Sequence, residues 1–114
     1  MTNQTEAGVG NLFLDLPDAS AAEIFTDLLR RPGCRIERIV SAGQTTPADH
    51  PCVQTHDEWV LLLAGSARIA MAGTEIALVV GDHLFIPAGI EHGVTFTDPH
   101  APTVWLAIHI GESD

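Results

Sequence analysis

Residues 50–65 read HPCVQTHDEWVLLLAG. In the first half, polar groups recur at every second position: His50, Cys52, Gln54, His56 and Glu58. A strand points alternate side chains to one face, so this spacing sets those five side by side. The second half, WVLLLAG, is a continuous apolar run, as a strand buried on both faces requires. The polar half is therefore either the lining of a site or the wet face of a strand.

Further strand signals surround it. CRIERIV (34–40) alternates, with Ile36 and Val40 on one face and Arg35 and Glu37 on the other. ARIAM (67–71) and TEIALVV (74–80) flank Ala72-Gly73, a hairpin signal. HLFIP, GVTFT and TVWLAIHI complete the set. Many short strands between turn residues predict an all-β, antiparallel sandwich or small closed barrel over residues 35–114. Ahead of it, NLFLDLP (11–17) is predicted as a short strand open to pairing with a neighbouring subunit. SAAEIFTDLLRRPG (20–33) is predicted as one short N-terminal helix. Ser20 and Glu23 form a capping box, Ile24, Phe25, Leu28 and Leu29 share a face, and Pro32-Gly33 ends it. Residues 1–10, polar and Gly-bearing, are predicted to be disordered.

The 114 residues suit one domain, and 46% hydrophobic residues are enough to fill a core. Fifteen acids against five bases give a net charge of −10, which repels phosphate backbones and anionic headgroups. Nucleic acid and membrane surfaces are thus not expected as partners. The opening MTNQTEAGVG lacks the basic and apolar regions of a signal peptide, and two cysteines make no disulfide framework. A cytoplasmic location is expected. The chain has no G-x-S-x-G elbow, and Cys34 and Cys52 lack the paired cysteines of a zinc finger.

GDHLFIPAGIEHGVTF (81–96) is the second informative stretch. A histidine just beyond the rigid Pro87-Ala88-Gly89 turn is held in a reproducible direction, as a ligand must be. Together the two stretches resemble the cupin superfamily. Its second motif, G-x5-P-x-G-x2-H-x3-N, matches at Gly81, Pro87, Gly89 and His92, with Phe96 where Asn would stand. The first, G-x5-H-x-H-x3-E-x6-G, matches at Glu58 and Gly65, while its histidines fall on Cys52 and Gln54 and its leading glycine on Thr46. The resemblance spans roughly residues 35–110 and implies an antiparallel jelly-roll (cupin) barrel that dimerises. It also implies a divalent metal (Fe, Mn, Ni or Zn) held by Glu58 and His92, with Gln54 and Cys52 at the substituted positions.

The expected site therefore has Gln54, Glu58 and His92 around one divalent ion, leaving a position open for a small-molecule ligand. Cys52, His109 and Trp105 are candidates for the surrounding pocket. Each has a plainer alternative. A buried Glu58 can instead pair with Arg35, Arg38 or His92, and Cys52 can be a small hydrophobe. His109 shares strand parity with Thr103, Trp105 and Ala107, and either looks into the barrel or ends a strand at the surface. His50 and His56 are assigned to a loop and a tight turn, and His83 and His100 to the rim. Three functions follow: a metal-dependent enzyme of the dioxygenase, lyase or isomerase kind acting on a small polar metabolite; a non-catalytic sensor or storage cupin; or a degenerate cupin serving as a dimer or partner module.

Overall fold

The computed structural model of the chain describes residues 7–112. Eight strands follow in order: β1 (Ile24–Arg31), β2 (Cys34–Ser41), β3 (Asp57–Ala64), β4 (Ala67–Met71), β5 (Thr74–Leu78), β6 (His83–Ile86), β7 (His92–Thr97) and β8 (Thr103–Ile110). One sheet runs β1-β2-β8-β3-β6 and the other β5-β4-β7, and every neighbouring pair is antiparallel. Their inner faces meet in a core that includes Val60, Leu62, Ile69, Leu78, Trp105 and Ala107. The alternation predicted this antiparallel all-β architecture, and the cupin resemblance implied its jelly-roll form. No helix among the described residues is long and apolar enough to cross a membrane.

Register fixes which side chains share that inner face, because directly opposed residues of antiparallel strands point the same way. Ile39, Trp105 and Leu62 form one row, and Glu37, Ala107, Val60 and Leu84 the next. The third row is Arg35, His109, Glu58 and Ile86. The inner face thus changes from apolar to charged toward one end, the mouth of the barrel.

Two expectations for the N-terminal region are corrected. Residues 24–31 form strand β1, not a helix. A bulge between Asp27 and Leu29 lets Leu28 and Leu29 follow each other without breaking the pairing, and this mimics helical spacing. The capping box is used otherwise: Glu23 accepts from Ser41 Oγ (2.7 Å), and Ser20 N donates to Asp18 Oδ1 (2.9 Å). Pro32-Gly33 is the β1–β2 turn, with Gly33 at φ +73°. NLFLDLP is not a strand either: Phe13 N donates to Asn11 Oδ1 (2.8 Å), which closes a turn. Of the stretch expected to be disordered, residues 1–6 lie outside the described residues, and 7–10 hold no regular structure.

The segment before β3 ties both informative stretches together. Thr46 N donates to Val94 O (2.8 Å), and Cys52 and His92 exchange backbone bonds of 2.7 and 2.9 Å. Gly89 N donates to Gln54 O (2.7 Å), and Ala88 N to Asp57 Oδ1 (2.9 Å). The Pro/Gly turn is therefore latched onto the first motif.

Candidate functional site

At the mouth, Arg35 and His109 of the charged row join Glu37, His56 and Glu112 in one network of hydrogen bonds. Glu37 on β2 and His109 on β8 are only 6% and 5% exposed, and His109 Nε2 lies 2.9 Å from Glu37 Oε1. A carboxylate only accepts, so Nε2 carries the hydrogen and Nδ1 presents a lone pair. His56, in the bend leading into β3, places Nε2 2.8 Å from that lone pair, and the two rings meet edge to face at 4.9 Å. Glu112, following β8, sets Oε2 3.8 Å from His56 Nε2. The ligand atoms of His56, His109 and Glu112 all lie within 4.8 Å of one another, the one such trio of His, Cys, Asp or Glu among the described residues.

Arg35 clamps the outer side. Its Nε and Nη2 donate to the two Glu112 oxygens (2.7 and 2.9 Å), and Nη1 donates to Glu37 Oε2 (2.6 Å) and, longer, to Asp27 Oδ1 (3.4 Å). Arg30 also holds Asp27, at 2.8 Å. The Arg35 hydrogen bonds, against some burial, lower the Glu112 carboxyl to about 2, and the same partners raise Arg35 above its ordinary range. Counting Asp27, Glu37, Glu58 and Glu112 against Arg30 and Arg35, four negative groups face two positive ones, so the mouth holds a surplus of two negative charges.

That lowered carboxyl makes a testable prediction. Glu112 adds stability above its unfolded value near 4.5, and the contribution is lost as pH falls toward about 2. Glu112→Gln should therefore be less stable than the wild type at neutral pH, and the two melting curves should converge across that window. Equal stability at pH 7 would refute it.

The residues expected from the motifs sit as follows. Glu58, 7% exposed, accepts from Gln54 Nε2 (2.7 Å), so these two do meet on one side of the strand. Gln54 Oε1 is buried and finds no hydrogen-bond partner among the described residues. His92 Nδ1 donates to Ile90 O (3.0 Å), which leaves Nε2 as the accepting nitrogen. Cys52 is exposed on the whole, yet partial burial of its sulfur and then the Glu58 charge push the thiol up, away from the thiolate a metal needs. Cys52, Glu58 and His92 do not converge as a trio of ligand atoms. Trp105 is 4% exposed and belongs to the core, as a floor beneath the mouth. His92 lines a separate cleft of about 310 Å³ with Thr46, Pro51, Met71, Glu91 and Val94.

His109 looks into the barrel, while His56, Glu37, Arg35 and Glu112 are participants the motifs did not point to. His56 had a visible signal: it shares the alternation of Gln54 and Glu58. Glu112 had none, because it belongs to no strand and meets Arg35 only through the fold.

Residues 37–109 match the family model described as a cupin domain. A protein of Ralstonia eutropha JMP134, provisionally named a mannose-6-phosphate isomerase, is 42% identical, with a TM-score of 0.88 over 93% of this chain and 100% of that one. A conserved Streptococcus pyogenes protein of unknown function is 20% identical (TM-score 0.75, 98% and 95% covered). A Desulfitobacterium hafniense DCB-2 cupin superfamily protein is 23% identical (TM-score 0.69, 93% and 100% covered). At these identities, the last two speak for the fold alone. No curated protein matches the chain.

Proposed function

Because the chain belongs to the cupin domain family, we propose that it is a small-molecule cupin holding one divalent ion at the barrel mouth through His56 Nε2, His109 Nδ1 and Glu112. The convergence of those three groups carries the reading. The chemistry of the donors fits: the Glu37 carboxylate fixes the ring of His109, as partners of metal-bound histidines do. The surplus negative charge suits a cation. Two imidazoles and one carboxylate suit iron, manganese, nickel or zinc and leave positions open, as in catalytic rather than structural sites.

When bound, such an ion polarises a substrate oxygen. The chain supplies the rest. Glu58, directly across from His109 and held by Gln54, is placed to take up and return a proton. Trp105 and Leu62 close the floor against water. Moving a proton between adjacent carbons of a hydroxy-carbonyl compound uses this combination. The name of the 42%-identical relative makes a phosphorylated sugar the substrate class to test first.

A second reading rests on the orphaned Gln54 Oε1: an ion or a hydrogen-bonded ligand held by Gln54, Glu58 and His92. Protein purified without an affinity tag separates the two. One ion per chain is expected, lost in His56→Ala and His109→Ala and kept in Glu58→Gln and His92→Ala; the reverse pattern favours the second set. Uptake should weaken on acidification, because protons compete for the histidine nitrogens. If calorimetry shows no uptake of Mn²⁺, Fe²⁺, Ni²⁺ or Zn²⁺, the metal reading is wrong and a non-catalytic ligand-binding cupin takes its place. Isomerisation of mannose 6-phosphate by the loaded protein tests the reaction.

A homodimer belongs to the same proposal. Phe13, Leu14 and Phe25 are more than half exposed beside the open edge of β1, and a second copy would cover them. Light scattering that finds a monomer at micromolar concentration would exclude it. The absence of nucleic-acid and membrane-surface partners completes the reading, on the net charge of −10.

A further inference from the structure

We infer that Arg35 is the oxyanion anchor of the mouth, and that Glu112 occupies it as a built-in surrogate which an anionic ligand displaces. The inference deepens the reading above, in that it places the ligand at the same mouth, but it does not depend on the ion.

Arg35 presents a guanidinium fork, and Glu112 fills it with both carboxylate oxygens at 2.7 and 2.9 Å. That is the geometry by which arginine recognises a carboxylate or phosphate ligand. The other partners of Arg35 are fixed in the sheet. Glu37 is inside β2 and also holds His109, and Asp27 is inside β1 and also holds Arg30. Glu112 alone among them follows a strand rather than forming part of one. The backbone before it is pinned by Gly111 N donating to Gly33 O (2.7 Å), and Gly111, at φ +84°, has open space around it. The Glu112 side chain is 23% exposed, so solvent and solutes reach the pair.

An anion that replaces Glu112 in the fork keeps the charge in contact with Arg35 the same, while the displaced Glu112, still tethered at the mouth, keeps its own. The released Glu112 is then free to turn toward His56, 3.8 Å away. A substrate phosphate or a substrate carboxylate would use the same fork, whereas the neighbouring Arg30 is already committed to Asp27.

The test is titration calorimetry of inorganic phosphate and of glycolate into chelator-treated full-length protein, with chloride as the control. Glu112→Gln should bind at least one of the two anions about tenfold or more tightly than the wild type, since the internal competitor has lost its charge. Whichever anion gains more names the ligand class. Adding Arg35→Lys, which keeps the charge but not the fork, should cancel the gain. In the unmodified protein, the Arg35 Nε–H resonance should move as the preferred anion is added, a readout independent of how well the variants fold. The inference is overturned if Glu112→Gln gains nothing for either anion, if the gain survives Arg35→Lys, or if that resonance stays still; the pair is then a structural staple. Because metal is absent throughout, these outcomes leave the ion reading untouched, and loss of the ion leaves them untouched.

Discussion

Gly65→Ala is expected to destabilise the protein by about 3–5 kcal/mol, through left-handed backbone strain and overpacking acting together. Gly65 turns the chain from β3 to β4 at φ +84°, a region that residues with a side chain rarely adopt. A Cβ there would run into Thr103 Oγ1, lie 2.7 Å from Thr103 Cα and 2.9 Å from Pro102 O. The obstacle is largely backbone, and Thr103 is fully buried, so nothing nearby can move aside. Gly73→Ala is the control. It has a similar φ of +80° but nothing within 4 Å, so it should lose only the conformational part, about 1 kcal/mol. Denaturant unfolding of both variants decides the matter: equal losses would show that the close approach to Thr103 contributes nothing.

Arg35→Met should have the second large effect, about 3–5 kcal/mol at neutral pH, because it strips the counter-charge from a buried carboxylate. Glu37, with 8% of its side chain exposed, would keep only His109 as a partner, and Glu112 would lose both hydrogen bonds of the fork. The loss should shrink below about pH 4.5, where the unfolded Glu112 becomes protonated and its contribution in the wild type fades toward pH 2. A loss under 1 kcal/mol at pH 7, or one that grows on acidification, would contradict this account.

The β-domain was legible in the sequence because its strands state their own period. CRIERIV alternates, WVLLLAG is apolar on both faces, and Ala72-Gly73 turns between two such runs with positive φ at both residues. β1 was not legible, since a β-bulge hides its alternation: Leu28 and Leu29 stand together, and with Ile24 and Phe25 they imitate a helical face. Local capping chemistry at Ser20 and Glu23 reinforced the wrong choice. Pairing with β2 along the full strand overrode it.

For the site, parity was the useful signal. It set Gln54 and Glu58 on one side, and it put His109 with Trp105 and Ala107, which the structure buries. The same rule reads Arg35 and Glu37 as one face of β2, but nothing in the sequence says that this charged face points inward. That follows from the opposition of Arg35 to His109, seventy-four positions further along the chain, a pairing set by sheet order alone.

That sheet order also governs how the protein can be made. β8, residues 103–110, is the middle strand of the five, with β2 on one side and β3 on the other. While a ribosome is still producing the chain, β2 and β3 have no partner along those edges, however long ago they emerged. The large sheet cannot be assembled piecewise from its first-made end. It closes in one late step, when the strand bearing Trp105 and His109 slides between the two waiting edges. A nascent chain arrested before residue 103 can pair β1 with β2, β3 with β6, and the three strands of the small sheet, but it leaves the facing edges of β2 and β3 unsatisfied for a chaperone to shield.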